Sequence, residues 1–241
     1  MGATVYLIPS LLAEEGVASI PAFITGAVKE CQVFFAENER TTRRFLKTLW
    51  KHYLPEEQIV IDNYEWFTIG AETLSAFRQK IKEGKTIGIL SEAGCPGVAD
   101  PGQSLVEIAQ QMGARVKPLV GPSSILLALM ASGMNGQQFH FHGYLPIDGQ
   151  QRSKAIREME SESAKKNCTQ IFIETPYRNN QLLEAILKNG QPQTRLCIAT
   201  NITGSSESIR TLTIQEWKNN VPDLHKQTVI FCLSATVAAL T

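Results

Sequence analysis

The chain lacks a net charge: 23 Lys and Arg offset 23 Asp and Glu over 241 residues. No global field therefore draws it onto nucleic acid or an anionic membrane, and a charged substrate would need a local basic patch. It lacks any apolar run long enough to span a bilayer as a helix, so membrane insertion is not expected. The amino-terminal "MGATVYLIPS" has no basic region before an apolar core, and Tyr6 stands where a myristoylation pattern wants Ser or Thr. Neither secretion nor lipidation is expected. The cysteines at 31, 95, 168, 197 and 232 lack C-x-x-C spacing, which removes the common zinc and redox motifs and suits a reducing cytoplasm. Also missing are G-x-x-x-x-G-K-[ST], G-x-G-x-x-G and G-x-S-x-G, so neither a familiar phosphate cradle nor a serine nucleophile elbow is present.

What is present is alternation. Short β-rich apolar runs ("VYLI", "QVFF", "TIGIL", "RVKPLV", "QIFIE", "RLCIA", "VIFCL") are separated by helical patterns, which predicts α/β layering with substantial parallel sheet. Leu105, Ile108, Ala109 and Met112 fall at helical spacing, with Gly113 at the C-terminal cap. A domain boundary is expected near residue 118, giving domains 1–117 and 118–241, because a strand there runs into Gly-Pro-Ser-Ser and a new helix. That helix, "ILLALMA" at 125–131, is apolar on every side and is expected to be buried at the centre of the molecule.

Two strand-to-helix loops are candidate ligand sites, since open α/β sheets bind ligands at such places. "SEAGCPGVADPG", 91–102, holds three glycines, two prolines and two acids; these residues fix an unusual main-chain path that can itself wall a pocket. "VGPSSI", 120–125, offers Ser123 or Ser124 as a helix cap. With no phosphate cradle in either, a nucleoside-like ligand without phosphates fits better. His140 and His142 in "FHFHGYLP" share a strand face, yet the other histidines, His52 and His225, are distant in sequence and no nearby Cys completes a ligand set. No metal is expected there. "ENERTTRR" opens a helix with three arginines, and "ETPYR" ends a strand with Arg178 available for an anion.

These stretches, in this order, resemble the tetrapyrrole methylase superfamily, and within it the branch of small-subunit ribosomal RNA cytidine 2′-O-methyltransferases. "LSEAGCPGVADPG" is similar to that branch's I-S-D-A-G-T-P-x-I-S-D-P-G, and "VGPSSILLALMASGM" to its P-G-P-[SC]-A-x-x-x-A-L-x-x-S-G-L. "FHFHGYLP" is similar to F-x-F-x-G-F-L-P, and "ETPYR" to E-S-P-H-R. The resemblance runs from about Val5 to about Leu233. It implies two α/β domains, a mostly parallel N-terminal sheet and a mixed C-terminal one, with S-adenosylmethionine in the cleft between them and a homodimer as the usual assembly; a cytoplasmic location and no metal are expected from the cysteines and histidines above. The implied donor contacts are Ala93, Gly94, Cys95, Val98, Ala99, Asp100, Ser123 and Ser124, with Thr175 and Ala199 from the second domain. Glu37, on the acid that opens the family's A-E-D-T-R pattern, is the implied general base; Arg40, Arg43 and Arg178 would hold RNA phosphates.

The departures fall on the acceptor side. "PSLLAE" stands where the branch has P-T-P-I-G-N, and Asn38 and Glu92 each replace an Asp. "IATNITGSSE" stands for A-R-E-L-T-K-x-x-E, so Arg, Glu and Lys become Thr200, Asn201 and Gly204, while Glu207 is kept. Ribosomal RNA or the small ribosomal subunit is therefore one implied partner, and two alternatives stay open. One is a methyltransferase acting on a small, tetrapyrrole-like molecule. The other is a donor-binding protein without transfer activity.

Overall fold

The computed structural model describes residues 2–235. The chain divides into two compact units between Ser123 and Ser124. Segment 118–123, on the far side of the boundary expected from sequence, thus belongs to the first unit.

In the first unit five strands alternate with four α-helices: β1 (Thr4–Leu7), α1 (Ile24–Glu30), β2 (Val33–Ala36), α2 (Glu39–Tyr53), β3 (Glu65–Thr68), α3 (Leu74–Lys82), β4 (Thr86–Leu90), α4 (Gln103–Gln111) and β5 (Arg115–Pro118). The sheet order is β3-β2-β4-β1-β5 and every pairing is parallel. A parallel sheet covered on both faces must be apolar on both, and β2, "VFFA", is buried throughout. Adjacent side chains point to opposite faces. Phe34 packs with Tyr64, Trp66 and the buried faces of α1 and α2; Phe35 stacks on Phe67 at 4.8 Å and meets Phe77 edge-on among α3 and α4. Each such buried ring contributes about 1.5–3 kcal/mol. α1 and α2 thus cover one face, α3 and α4 the other.

This topology creates a crevice. β1 and β4 are neighbours, but α1 leads β1 across one face to β2 while α4 leads β4 across the other to β5. Their outgoing loops diverge at the carboxyl ends of the strands, the switch point where open α/β sheets take ligands.

The second unit contains α5 (Ser124–Ser132), β6 (Phe139–Tyr144), α6 (Gly149–Lys166), β7 (Thr169–Ile173), α7 (Asn179–Asn189), β8 (Arg195–Thr200), β9 (Ser208–Thr213), α8 (Ile214–Lys218) and β10 (Val229–Ser234). Its sheet, β6-β7-β10-β8-β9, is mixed: β6 and β7 are parallel, and the remaining pairs antiparallel. Ile156, Leu182, Ile186 and Trp217 from α6, α7 and α8 pack with Phe172, Leu196 and Phe231 in its main core. Asp148 caps α6 by accepting from the amides of Gln150 and Gln151, so the polar stretch at 146–154 is a helix start.

Two expectations are corrected. The strands β3, "EWFT", and β9, "SIRTLT", were missed; both are edge strands with half-exposed patterns, which need no continuous apolar run. α5 is not centrally buried: Ala128, Leu129 and Ser132 are covered, but Leu126 is 49% and Met130 77% exposed. Its uniform apolarity gave no sign of which side the sheet would cover. No helix among the described residues is long and apolar enough to cross a membrane.

Candidate functional site

The loops that leave β1 and β4 are zipped together. Ser10 and Gly94 exchange main-chain hydrogen bonds at 2.8 and 3.2 Å, and the Ser10 hydroxyl donates to the Ser91 carbonyl at 2.7 Å. Gly94 at φ +71, Gly97 at +84 and Ala99 at +59 give the β4 loop three left-handed residues, the last an uncommon conformation for alanine. Asp100 holds this path: its carboxylate accepts from the amide of Gly97 at 2.9 Å and of Gly102 at 2.6 Å. Burial pushes the Asp100 carboxyl above its ordinary pKa, and the nearby Glu37 charge adds to the rise against the opposing amide hydrogen bonds. The Cys95 thiol faces the carbonyls of Gly121 and Pro122, and burial raises its pKa. It is a loop fastener, not a thiolate nucleophile. Gly121 is required by contact, since a Cβ there would lie 2.2 Å from Pro9.

Most of the residues expected in the first unit are thereby gathered. Ala93, Val98 and Ala99 are exposed on the loop surface, Gly94 is buried, and Cys95 and Asp100 are intermediate. Glu37, just beyond β2, accepts from the Glu92 amide at 3.0 Å while its own amide donates to Leu90. It thus lies against the same loop. Beside it a cavity of about 490 Å³ is lined by Ser10, Leu12, Thr41, Arg44, Phe45 and Glu92, among others, a volume within the range of small-ligand sites. Along α2 a shallower groove of about 640 Å³ is lined by Arg40, Arg43, Arg44, Lys47 and Lys51 together with Glu39 and Thr48. This is a local basic patch on a neutral protein.

The arginines differ in what they can offer. Arg40 is exposed and pairs with no acid among the described residues. Arg43 pairs with Asp62 at 3.0 Å and Glu39 at 3.6 Å and lies over the Trp66 ring. In the second unit Arg178 donates from Nε and Nη2 to one oxygen of the buried Glu174, at 3.0 and 2.7 Å. The Thr175 amide donates to that same oxygen. The other Glu174 oxygen and Asn179 Oδ1 are buried without a hydrogen-bond partner among the described residues. Thr175 and Arg178 share one loop, whereas Ala199 is fully buried in β8, separated from β7 by β10. Ser123 ends the first unit and Ser124 begins α5.

A family model described as Tetrapyrrole (Corrin/Porphyrin) Methylases matches residues 25–218. The chain belongs to the tetrapyrrole methylase family. Among curated relatives, a protein of Vibrio cholerae named ribosomal RNA small subunit methyltransferase I is 35% identical over 57% of this chain and 46% of its own. One of the same name from Halalkalibacterium halodurans is 32% identical over 66% of this chain and 52% of its own. The chain therefore spans about half the length of the curated relatives it matches. Solved structures share the fold: the methyltransferase CobJ superposes with TM-score 0.59 at 15% identity, covering 97% of this chain and 94% of its own. A putative cobalamin synthesis related protein (CobF) from Corynebacterium diphtheriae does so with 0.63 at 12%, covering 98% and 100%.

Several departures from the methylase pattern now have a local account. Asn38 caps α2, accepting from the Thr41 amide, a task Asn performs as well as Asp. Glu14 lies 3.6 Å from Arg44 at the cavity rim and offsets its charge. Asn201 ties its turn to Ser206, Gln227 and Thr228, so an amide network stands where the branch has charge. Sequence reasoning missed Glu174 as the partner of Arg178, although their i, i+4 separation was legible.

Proposed function

We propose that the β4 loop binds S-adenosylmethionine and that the chain transfers its methyl group to a ribose 2′-hydroxyl of small-subunit ribosomal RNA. The observation that carries the donor part is the Asp100-braced loop at the β1/β4 switch point, with Ala93, Val98 and Ala99 exposed on its surface. Its residues fit the donor: peptide donors and acceptors suit an amino acid, a ribose and an adenine, and nothing there demands a phosphate. Bound, the donor supplies an electrophilic methyl on a positive sulfonium, and the adjoining carboxylates of Asp100 and Glu37 favour a cation. Glu37 takes the proton of the acceptor hydroxyl, as a carboxylate held against the loop can. Arg40, Lys47 and Lys51 on α2 meet backbone phosphates, which favours RNA over a small acceptor. The names of the curated relatives favour it too. A second copy completes the assembly, for which exposed Met130 on α5 is the candidate contact.

Calorimetry with S-adenosylmethionine and with its demethylated product tests the donor site. Transfer of labelled methyl to small ribosomal subunits, against the small-molecule fraction of a cell extract, tests the acceptor. Label in ribose of ribosomal RNA is the expected result. Label in a small molecule moves the assignment to that class, binding without transfer makes the chain a donor-binding protein, and absence of donor binding overturns the reading. Glu37→Gln is expected to slow transfer by about 100-fold or more while changing donor affinity only a few-fold. Sedimentation of Met130→Glu against the parent tests the dimer.

A further inference from the structure

The two histidines set aside in the sequence for want of a third ligand acquire one through the fold. His140 and His142 alternate on β6, so both face the same side, and their rings lie 4.0 Å apart between centroids. α6 brings Glu162 to that side. One ligand atom from each of the three can be chosen so that all lie within 4.8 Å of one another, with His140 Nδ1 3.8 Å from Glu162 Oε2.

The surroundings are arranged as metal-ligating groups require. Gln170, fully buried on β7, donates its side-chain amide to the Cys168 carbonyl at 3.3 Å, so its Oε1 is the atom that faces His142 Nε2 at 2.5 Å. His142 must donate there, which leaves its lone pair on Nδ1. A ligating histidine typically has its tautomer fixed through the other ring nitrogen in this way. Glu162 is similarly supported, with Oε1 accepting from Lys166 at 2.8 Å while Oε2 faces His140. Immediately after His142 the strand bulges, with Gly143 at φ +67 and the register with β7 shifted between Phe141 and Tyr144. Bulges at sheet edges re-aim side chains, and β6 is an edge strand. His140 remains about half exposed and Glu162 about a third, which leaves an entry path.

We propose that His140, His142 and Glu162 form a Zn²⁺ site that fastens edge strand β6 to α6. Two imidazole nitrogens and one carboxylate oxygen form the donor set of a first-row transition cation rather than of Mg²⁺ or Ca²⁺. Zinc bonds of about 2.0–2.2 Å place tetrahedral ligand atoms about 3.4 Å apart, which these side chains reach by rotation about their χ angles. Three protein ligands leave a fourth position for water or an exogenous group. The site does not depend on methyl transfer and is tested without it.

The test titrates the untagged 241-residue chain with ZnCl₂ by calorimetry and with CoCl₂ by visible absorption. One equivalent of Zn²⁺ is expected to bind, with Co²⁺ giving the intense d–d bands of a low-coordinate N/O site and Zn²⁺ raising the melting temperature. His140→Ala and Glu162→Gln, both at accessible positions, are expected to keep the parent's circular dichroism and to lose at least tenfold in affinity. The double variant His52→Ala/His225→Ala is expected to retain it. Absence of stoichiometric binding, or binding that survives His140→Ala and Glu162→Gln unchanged, overturns the site.

Discussion

The loop after β4 and the loop after β7 both end a buried strand, and each carries an acid that organises it, but they use that acid differently. Asp100 accepts from main-chain amides, so its carboxylate fixes the path of the loop. Glu174 is inside the protein and is met by Arg178, a side chain, as well as by the Thr175 amide. The first arrangement leaves Ala93, Val98 and Ala99 exposed on the loop; the second consumes the only cation its motif offers. A motif residue that reads as an anion binder can instead be the counter-ion of a buried acid, and burial of the partner decides between them.

The largest expected effect breaks the second loop. Arg178→Ala leaves Glu174 buried without its cation, and chemical denaturation is expected to register a loss of about 3–5 kcal/mol; a loss below about 1 kcal/mol would mean that Arg178 is a surface group after all. Asp100→Ala removes the acceptor for the amides of half-buried Gly97 and buried Gly102 and should destabilise the first unit by about 1–3 kcal/mol, with donor binding lost in the same variant. The contrast between the loops fails if donor binding survives Asp100→Ala but not Arg178→Ala.

The smaller effects sharpen it. Because burial holds the Asp100 pKa above its unfolded value, the folded state keeps this proton to higher pH than the unfolded one. Stability attributable to Asp100 therefore falls as pH rises from the ordinary carboxylate range through the raised value, and Asp100→Asn should flatten that slope. Glu37→Gln should lower the Asp100 pKa measured by NMR, since the Glu37 charge is a secondary cause of the rise. Smallest is Ala99→Gly. It relieves the left-handed alanine at a cost in unfolded-chain entropy, for a net gain below about 1 kcal/mol.

Seven of the ten strands among the described residues were legible as apolar runs, because the interior of each sheet must be apolar on whatever it buries. β6 was legible as alternation around its two histidines. β3 and β9 were not, since half-exposed edge strands carry no such mark. In the site, the glycine- and proline-rich loop announced its unusual path, and Glu37 does lie against it. The commitments of Arg43 to Asp62 and Trp66, and the approach of Glu162 to His140, join residues on different elements. No local pattern contains that information.

The order and type of most elements, the left-handed loop and the neutral charge with its need for a local basic face were determined by the sequence alone, because each follows from local backbone limits or from summed composition. Which charges are already spent, which side of α5 is covered, and which third ligand meets the two histidines were decided by the tertiary structure. Those are questions of proximity, and the energy of a charge or a lone pair depends on what stands within a few ångströms of it.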